Sequence, residues 1–143
     1  MVETFLGYSV GNMTLDLIDP QDLPTAPTYT QVIVATGRRI VFVAGQVAQD
    51  SQGDVVAPGD LAGQARQTFA NVGRALAAAG ARPDQVTKIT TYIVGYKPEF
   101  RTLLAGPRAA LFGDHRPAST LVGVEALARP EYLIEVEAIA VID

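Results

Sequence analysis

Two acids stand near the C-terminal end of the sequence, in the run Leu133-Ile134-Glu135-Val136-Glu137-Ala138-Ile139-Ala140-Val141-Ile142. On a β-strand, residues two apart share a face, so Glu135 and Glu137 point the same way, with Leu133, Ile139 and Val141 beside them. The opposite face is Ile134, Val136, Ala138, Ala140 and Ile142, with no polar side-chain atom. A face turned to water rarely sets its acids among branched apolar residues, so both faces of this strand need cover. A carboxylate on a covered face must be hydrogen-bonded, paired or partly wet. Held short of bulk water, it suits proton transfer, and each of the two acids is a candidate for that role. The structural alternative, equally open from the residues alone, is that each acid binds backbone amides or arginines across an oligomer seam.

Other chemistry is sparse. The single histidine, His115, cannot build a histidine-rich metal set, and the absence of cysteine removes thiolate nucleophiles and disulfides. No stretch has the spacing of a phosphate loop, a metal set or a Ser/His/Asp arrangement, so no cofactor and no metal are expected. His115 is a proton-shuttle candidate by residue type, although a lone loop histidine more often sits at the surface. The net charge is −4 and the largest basic cluster is Arg38-Arg39, which argues against a nucleic-acid partner. No uncharged apolar run reaches the ~18 residues of a membrane span. The N-terminal residues lack the pattern of a secretory signal. A cytoplasmic protein with no membrane partner is the expectation.

The elements that must position these residues are legible from periodicity. The length of 143 residues fits one domain over 1–143. Leu61, Ala65, Phe69, Val72, Leu76 and Ala79 form one helical stripe, with Asp60 placed as N-cap and Gly80 as the C-terminal stop. Residues 14–18 read as a short strand. Residues 31–35 and 39–48 read as a hairpin turning at Gly37. Residues 86–94, 119–124 and 133–142 are further strands, and 100–112 is helical at least in its second half, where Pro107 fits the first turn of a helix better than its interior. The order predicts an α+β architecture, a mixed sheet with two helices on one face. Charged residues make up only 18% of the chain and mean hydropathy is +0.20. For a small domain with much surface per volume, that implies cover by another subunit.

Several fragments share an order and spacing with a known family: Tyr29-Thr30-Gln31, Ala44-Gly45-Gln46, Gln64, Asn71, Ala78-Ala79-Gly80, Val86, Lys88, Thr90-Thr91, Pro117-Ala118-Ser119-Thr120, and Ile134 to Ala140. From about Pro27 to Ile142 the chain resembles the Rid family (YjgF superfamily), whose best-known members hydrolyse reactive enamines and imines. The resemblance implies a chorismate-mutase-like fold and a homotrimer around a central barrel, with a small-molecule pocket at each subunit interface. It also implies that Glu135 matches the residue that orients water, which makes Glu135 the candidate catalytic residue, and that Tyr29 matches a pocket position.

The departures fall on the polar groups of that pocket. Deaminating members carry an arginine directly after the Pro-Ala pair, where it grips the substrate carboxylate; this chain has Ser119. The family serine before Gly-Gln is Ala44, and the pocket asparagine falls on Leu104 or Ala105. The candidate substrate-binding set is therefore Tyr29, Ala44, Gly45, Ser119, Thr120 and Arg116. Arg108, Arg116 and Arg129 are the nearby guanidinium groups that could replace the clamp. Arg116 and Arg129 would have to reach in from loops. The expected function is a hydrolase or deaminase acting on a small imine, enamine or amide, with weak activity on amino-acid imines unless another arginine holds their acid. The alternative is a ligand-binding trimer without turnover.

Overall fold

The computed structural model describes residues 12–143; the sequence reading of residues 1–11 lies outside them. The chain runs β1 (Thr14–Ile18), β2 (Val32–Thr36), β3 (Arg39–Val47), α1 (Leu61–Ala78), β4 (Val86–Val94), α2 (Arg101–Phe112), β5 (Ala118–Val124) and β6 (Ile134–Ile142). Single 3₁₀ turns, Pro83–Gln85 and Pro98–Phe100, lead into β4 and α2. Four strands form one sheet in the order β3-β6-β4-β5, and β1 pairs with β2 in a separate ribbon. β6 is antiparallel to both β3 and β4, whereas β4 and β5 are parallel. A parallel pair needs a crossover, and α2 supplies it.

β6 organises the sheet. Its burial alternates along its whole length, with Ile134, Val136, Ala138, Ala140 and Ile142 buried. That face meets Phe69, Val72 and Leu76 of the α1 stripe, together with Leu104 and Phe112 of α2. α1 ends as its sequence requires. Gly80 takes φ +74°, the N–H of Ala81 bonds to Leu76 O, and that of Gly80 to Ala77 O, a Schellman closure. Asp60 occupies the N-cap position but makes no side-chain cap bond, contrary to the capping role its residue type suggested. Buried Gln64 of α1 is fully engaged instead. Its amide donates to Glu131 O at 2.8 Å, and its carbonyl accepts from Leu133 N at 2.9 Å, which pins the entry to β6.

Two expectations are corrected. β2 and β3 are not a hairpin: β2 pairs with β1, while β3 pairs with β6 from Arg39 opposite Ile142. Gly37 does not supply a left-handed turn. It lets the chain pass the end of β6, where a Cβ would lie 2.5 Å from Val141 Cγ1 and 2.9 Å from Ile142 O. Pro107 lies inside α2, not in its first turn. The helix continues through it on a surface where Leu103, Ala105 and Gly106 are exposed, so the carbonyl deprived of its donor can be hydrated.

The helices cover one face of the sheet. On the other, Ile40 and Phe42 of β3 pair with Val141 and Ile139 of β6 and are 62% and 74% exposed.

Phe69, only 3% exposed, is the largest side chain of the α1 stripe. Phe69→Ala should destabilise the chain by roughly 3–5 kcal/mol, as large core truncations do. Chemical denaturation of the two proteins measures it; an unchanged midpoint would place Phe69 outside the core.

Candidate functional site

The uncovered face of the sheet carries a row of polar groups. Across β4 and β6, Tyr92 stands opposite Glu135, Thr90 opposite Glu137 and Lys88 opposite Ile139. On the β5 side Thr120 pairs with Thr90, and Val122 with Tyr92. Phe42, Ala44, Lys88, Thr90, Glu137 and Ile139 border an open depression of about 360 Å³.

The two glutamates are held differently. The Tyr92 hydroxyl donates to Glu137 Oε1 at 2.8 Å, so Glu137 has a partner within its own chain. Glu135 has no hydrogen-bond partner among the described residues. Its carboxylate lies against Gly45, at a register shift between Val43 and Gln46 of β3. A Cβ at Gly45 would lie 1.8 Å from Glu135 Oε1. The bulge and the missing side chain together make the space that Glu135 occupies. Asn71 of α1 steadies the strand just beyond, donating to Val47 O and Gln49 O at 2.9 Å each. Gln46 bonds back to Ala44 O on its own strand at 3.1 Å, and not across the sheet.

The remaining candidates gather elsewhere. Ser119 pairs with Ile89, a buried core residue, which places its hydroxyl on the helix side, opposite to Glu135. Tyr29 sits in the approach segment that docks on the start of β5, where Thr30 Oγ1 donates to Arg116 O at 2.6 Å. Arg116 is already engaged, with Ala26 O at 2.8 Å, Tyr29 O at 3.4 Å and the Asp19 carboxylate at 3.4 Å. Arg129 donates to Gly53 O and packs over Tyr132. Arg108 of α2 is the guanidinium that reaches Ser119, with Nη1 at 3.4 Å from Oγ. His115 is tied through Nε2 to Val86 O at 2.7 Å. Leu104 is a core residue and Ala105 is exposed. One chain thus brings Glu135, Ala44 and Gly45 together, with Thr120 along the same face. It gathers Tyr29, Arg116, Ser119 and Arg108 around the start of β5. The two groups do not share a pocket within the chain. No group of three or more metal-ligating side chains occurs among the described residues.

The fold and this constellation have relatives. The family model described as Endoribonuclease L-PSP matches residues 20–142. A RutC family protein of Pyrococcus horikoshii is 34% identical over 117 residues, covering 82% of this chain and 88% of its own. The chain belongs to the Rid (YjgF/RidA) family. A Rid relative from Rattus norvegicus named 2-iminobutanoate/2-iminopropanoate deaminase is 33% identical over 113 residues, 79% of each chain. The crystal structure of the Rid protein YyfB from Yersinia pestis superposes with a TM-score of 0.84 at 34% identity, covering 90% of this chain and 98% of that one.

Tyr92 was not singled out from the sequence of this Rid chain, although Lys88, Thr90 and Tyr92 make a polar face at period two that a strand reading could have exposed. Its phenol is pushed above the ordinary value of 10.0, first by the bond to Glu137, then by burial and the charges of Glu137 and Glu135. The donated proton exists only in neutral tyrosine. The pair's contribution to stability is therefore complete below the ordinary tyrosine range and is lost as pH rises through the raised value. Ultraviolet titration, with Tyr92→Phe to assign the signal, should show Glu137→Gln bringing Tyr92 back toward the ordinary value. An unshifted titration would mean the pair does not form in solution.

Proposed function

We propose that this Rid-family chain is a hydrolase of C–N bonds, acting on a small imine, enamine or amide in a pocket between copies of a homotrimer. The observation that carries this is the difference between the two glutamates: Glu137 is occupied by Tyr92, while Glu135 lies unpartnered in the space at Gly45. An unengaged carboxylate can take a hydrogen bond from water and aim its oxygen at an electrophilic carbon. For an imine, water adds to the C=N carbon and its proton passes through Glu135 to the nitrogen. The carbinolamine then collapses, the C–N bond breaks, and a carbonyl compound and ammonia leave. The mammalian relatives named as imine deaminases support the reaction class.

Assembly belongs to the same reading. Phe42 and Ile40 expose apolar surface beside the glutamate row, and clustered exposure of this kind marks an interaction site. Copies packed on this face would cover the branched residues flanking the acids and close the depression. In this proposal the partners are a small molecule and other copies of the chain, without nucleic acid, in a cytoplasmic setting. No helix among the described residues is long and apolar enough to cross a membrane.

Light scattering should give about three times the 15.1 kDa chain mass, and Phe42→Asp should lower it by burying a charge in the seam. A wild type that stays monomeric at micromolar concentration would remove the interface pocket.

For the chemistry, small imines with and without a carboxylate should be generated in a coupled assay that follows ammonia. The wild type should turn over at least one of them. Glu135→Gln should lose about two to four powers of ten, the usual contribution of a positioned acid–base group. Turnover undiminished in Glu135→Gln would overturn its role. Binding without turnover of any imine would favour the ligand-binding trimer.

A further inference from the structure

We infer that Tyr92 is a positioning residue of the proposed hydrolysis, its phenol oxygen accepting the second hydrogen bond of the water that Glu135 aims. The inference deepens the hydrolase reading and rests on it. A water that attacks carbon must keep a lone pair for that carbon, so both of its protons have to be bonded elsewhere. One carboxylate holds one of them, and the water still turns about that bond. A second acceptor on the same face stops the turning. The strand register places one. Tyr92 of β4 stands directly opposite Glu135 of β6, and directly opposed residues keep their Cβ atoms about 5 Å apart. A water bonded to two oxygens at about 2.8 Å each spans a gap of similar size. The other polar side chains described on this face suit the task less well. Thr90 is opposite Glu137, one pair further along. Lys88 offers donors only, and its Nζ donates to Thr120 Oγ1.

The bond between Tyr92 and Glu137 sets the direction of the phenol. A free phenol can donate or accept. Here its proton is committed to Glu137 Oε1 at 2.8 Å, so toward Glu135 the oxygen offers lone pairs alone. Donation to a charged acceptor also polarises the O–H bond and makes the oxygen a better acceptor. The tyrosine has to stay neutral for this. Its pKa is raised, first by the bond to Glu137, then by burial and by the charges of Glu137 and Glu135; that the charge of Glu135 acts on the phenol also fits their opposition across the strands. The two acids on one face thus have separate tasks. Glu135 receives the proton that water loses on adding to the C=N carbon. Glu137 acts through Tyr92, because a hydroxyl released from Glu137 would turn to donate to Glu135 and occupy the carboxylate that has to take that proton. Tyr92 keeps its own proton throughout. The O–H that faces it stays on the oxygen and becomes the hydroxyl of the carbinolamine.

Steady-state hydrolysis of small imines, generated in a coupled assay and followed by ammonia release, tests this on the full chain. The proteins are the wild type, Tyr92→Phe, Glu135→Gln and the double variant. Tyr92→Phe should lower kcat about tenfold, the order of one lost hydrogen bond, and leave KM unchanged. In the Glu135→Gln background the same change should lower kcat by less than about threefold, because the two residues act on one water. Solution mass and thermal midpoint are read in parallel. A tyrosine with a merely structural role would lower kcat by the same factor in both backgrounds, and that result overturns the assignment. So does an unchanged kcat, or a raised KM with kcat intact. Should Tyr92→Phe fail to fold, the decision passes to Glu137→Gln, which keeps the phenol and removes the charged acceptor that directs it. That variant should lower kcat at unchanged KM, and an unchanged kcat overturns the assignment. A wild type that hydrolyses no imine removes the hydrolase reading and this assignment with it. A wild type that turns over while Tyr92→Phe matches it removes this assignment alone.

Discussion

The central strand β6 has two faces that both need cover, and the chain supplies cover for one. Ile134, Val136, Ala138, Ala140 and Ile142 disappear under the helices. Glu135, Glu137, Ile139 and Val141 look the other way, beside Ile40 and Phe42 of β3. Burying apolar surface contributes roughly 25 cal/mol per Å², so a face holding Phe42 and Ile40 exposed is a reservoir of association energy. Everything at the candidate site follows from being built on that second face. The acids sit among apolar neighbours, the depression beside them is open, and the polar residues around them are few and specific.

Positioning on such a face is done from the opposite side. Gln64, buried in α1, takes both a carbonyl and an N–H from the segment entering β6, which fixes where the strand begins and thus where Glu135 falls. Asn71, seven residues further along α1, takes the carbonyls of Val47 and Gln49 and fixes β3 just past its bulge. The helix therefore holds the two strands whose relative register puts Gly45 against Glu135. A one-residue slip would turn every side chain of a strand to the other face. The two amide clamps resist that slip more specifically than the apolar stripe can, because hydrogen bonds have direction and hydrophobic contact does not. Tyr92 completes the arrangement by engaging Glu137 and leaving Glu135 as the acid available to solvent or ligand.

The α1 stripe, the Gly80 stop and the alternation of β6 were legible because each depends on local periodicity or on the conformational freedom of one residue. The pairing of β3 was not. Gly37 between two β-branched runs carries the local signal of a hairpin, but β6 offers β3 a longer, two-sidedly apolar partner, and tertiary pairing overrode the turn signal. Pro107 was misplaced for a related reason: a proline costs a helix least where the freed carbonyl can reach water, and exposure is a property of the packed molecule. At the site, both acids stood out from their strand neighbours, and the family resemblance singled out Glu135 between them. The importance of Gly45 to it depends on a bulge, which adds a residue without a sequence mark of its own. Of the three arginines near the motif, nothing in the sequence told which would reach Ser119. Only the docking of α2 on β5, with Asp19 claiming Arg116 and the Gly53 carbonyl claiming Arg129, separates them.

The separation of the two clusters has a consequence for how chemistry and assembly relate. If Glu135 and the polar cluster at the start of β5 lay on one face, a single copy could bring both to one ligand, and association would add only stability. Here the register places Ser119 with Ile89 on the covered side and Glu135 with Tyr92 on the open side. In the proposed reading, a substrate spanning both groups must lie at a seam between copies. The apolar surface that drives association then also excludes water from the reacting groups, and electrostatic contacts strengthen as the local dielectric falls. A small chain with few charges can in this way build an enclosed site without enclosing it alone. In that reading the Glu135 carboxylate, which lies against Gly45 on the open face, is enclosed only where copies meet.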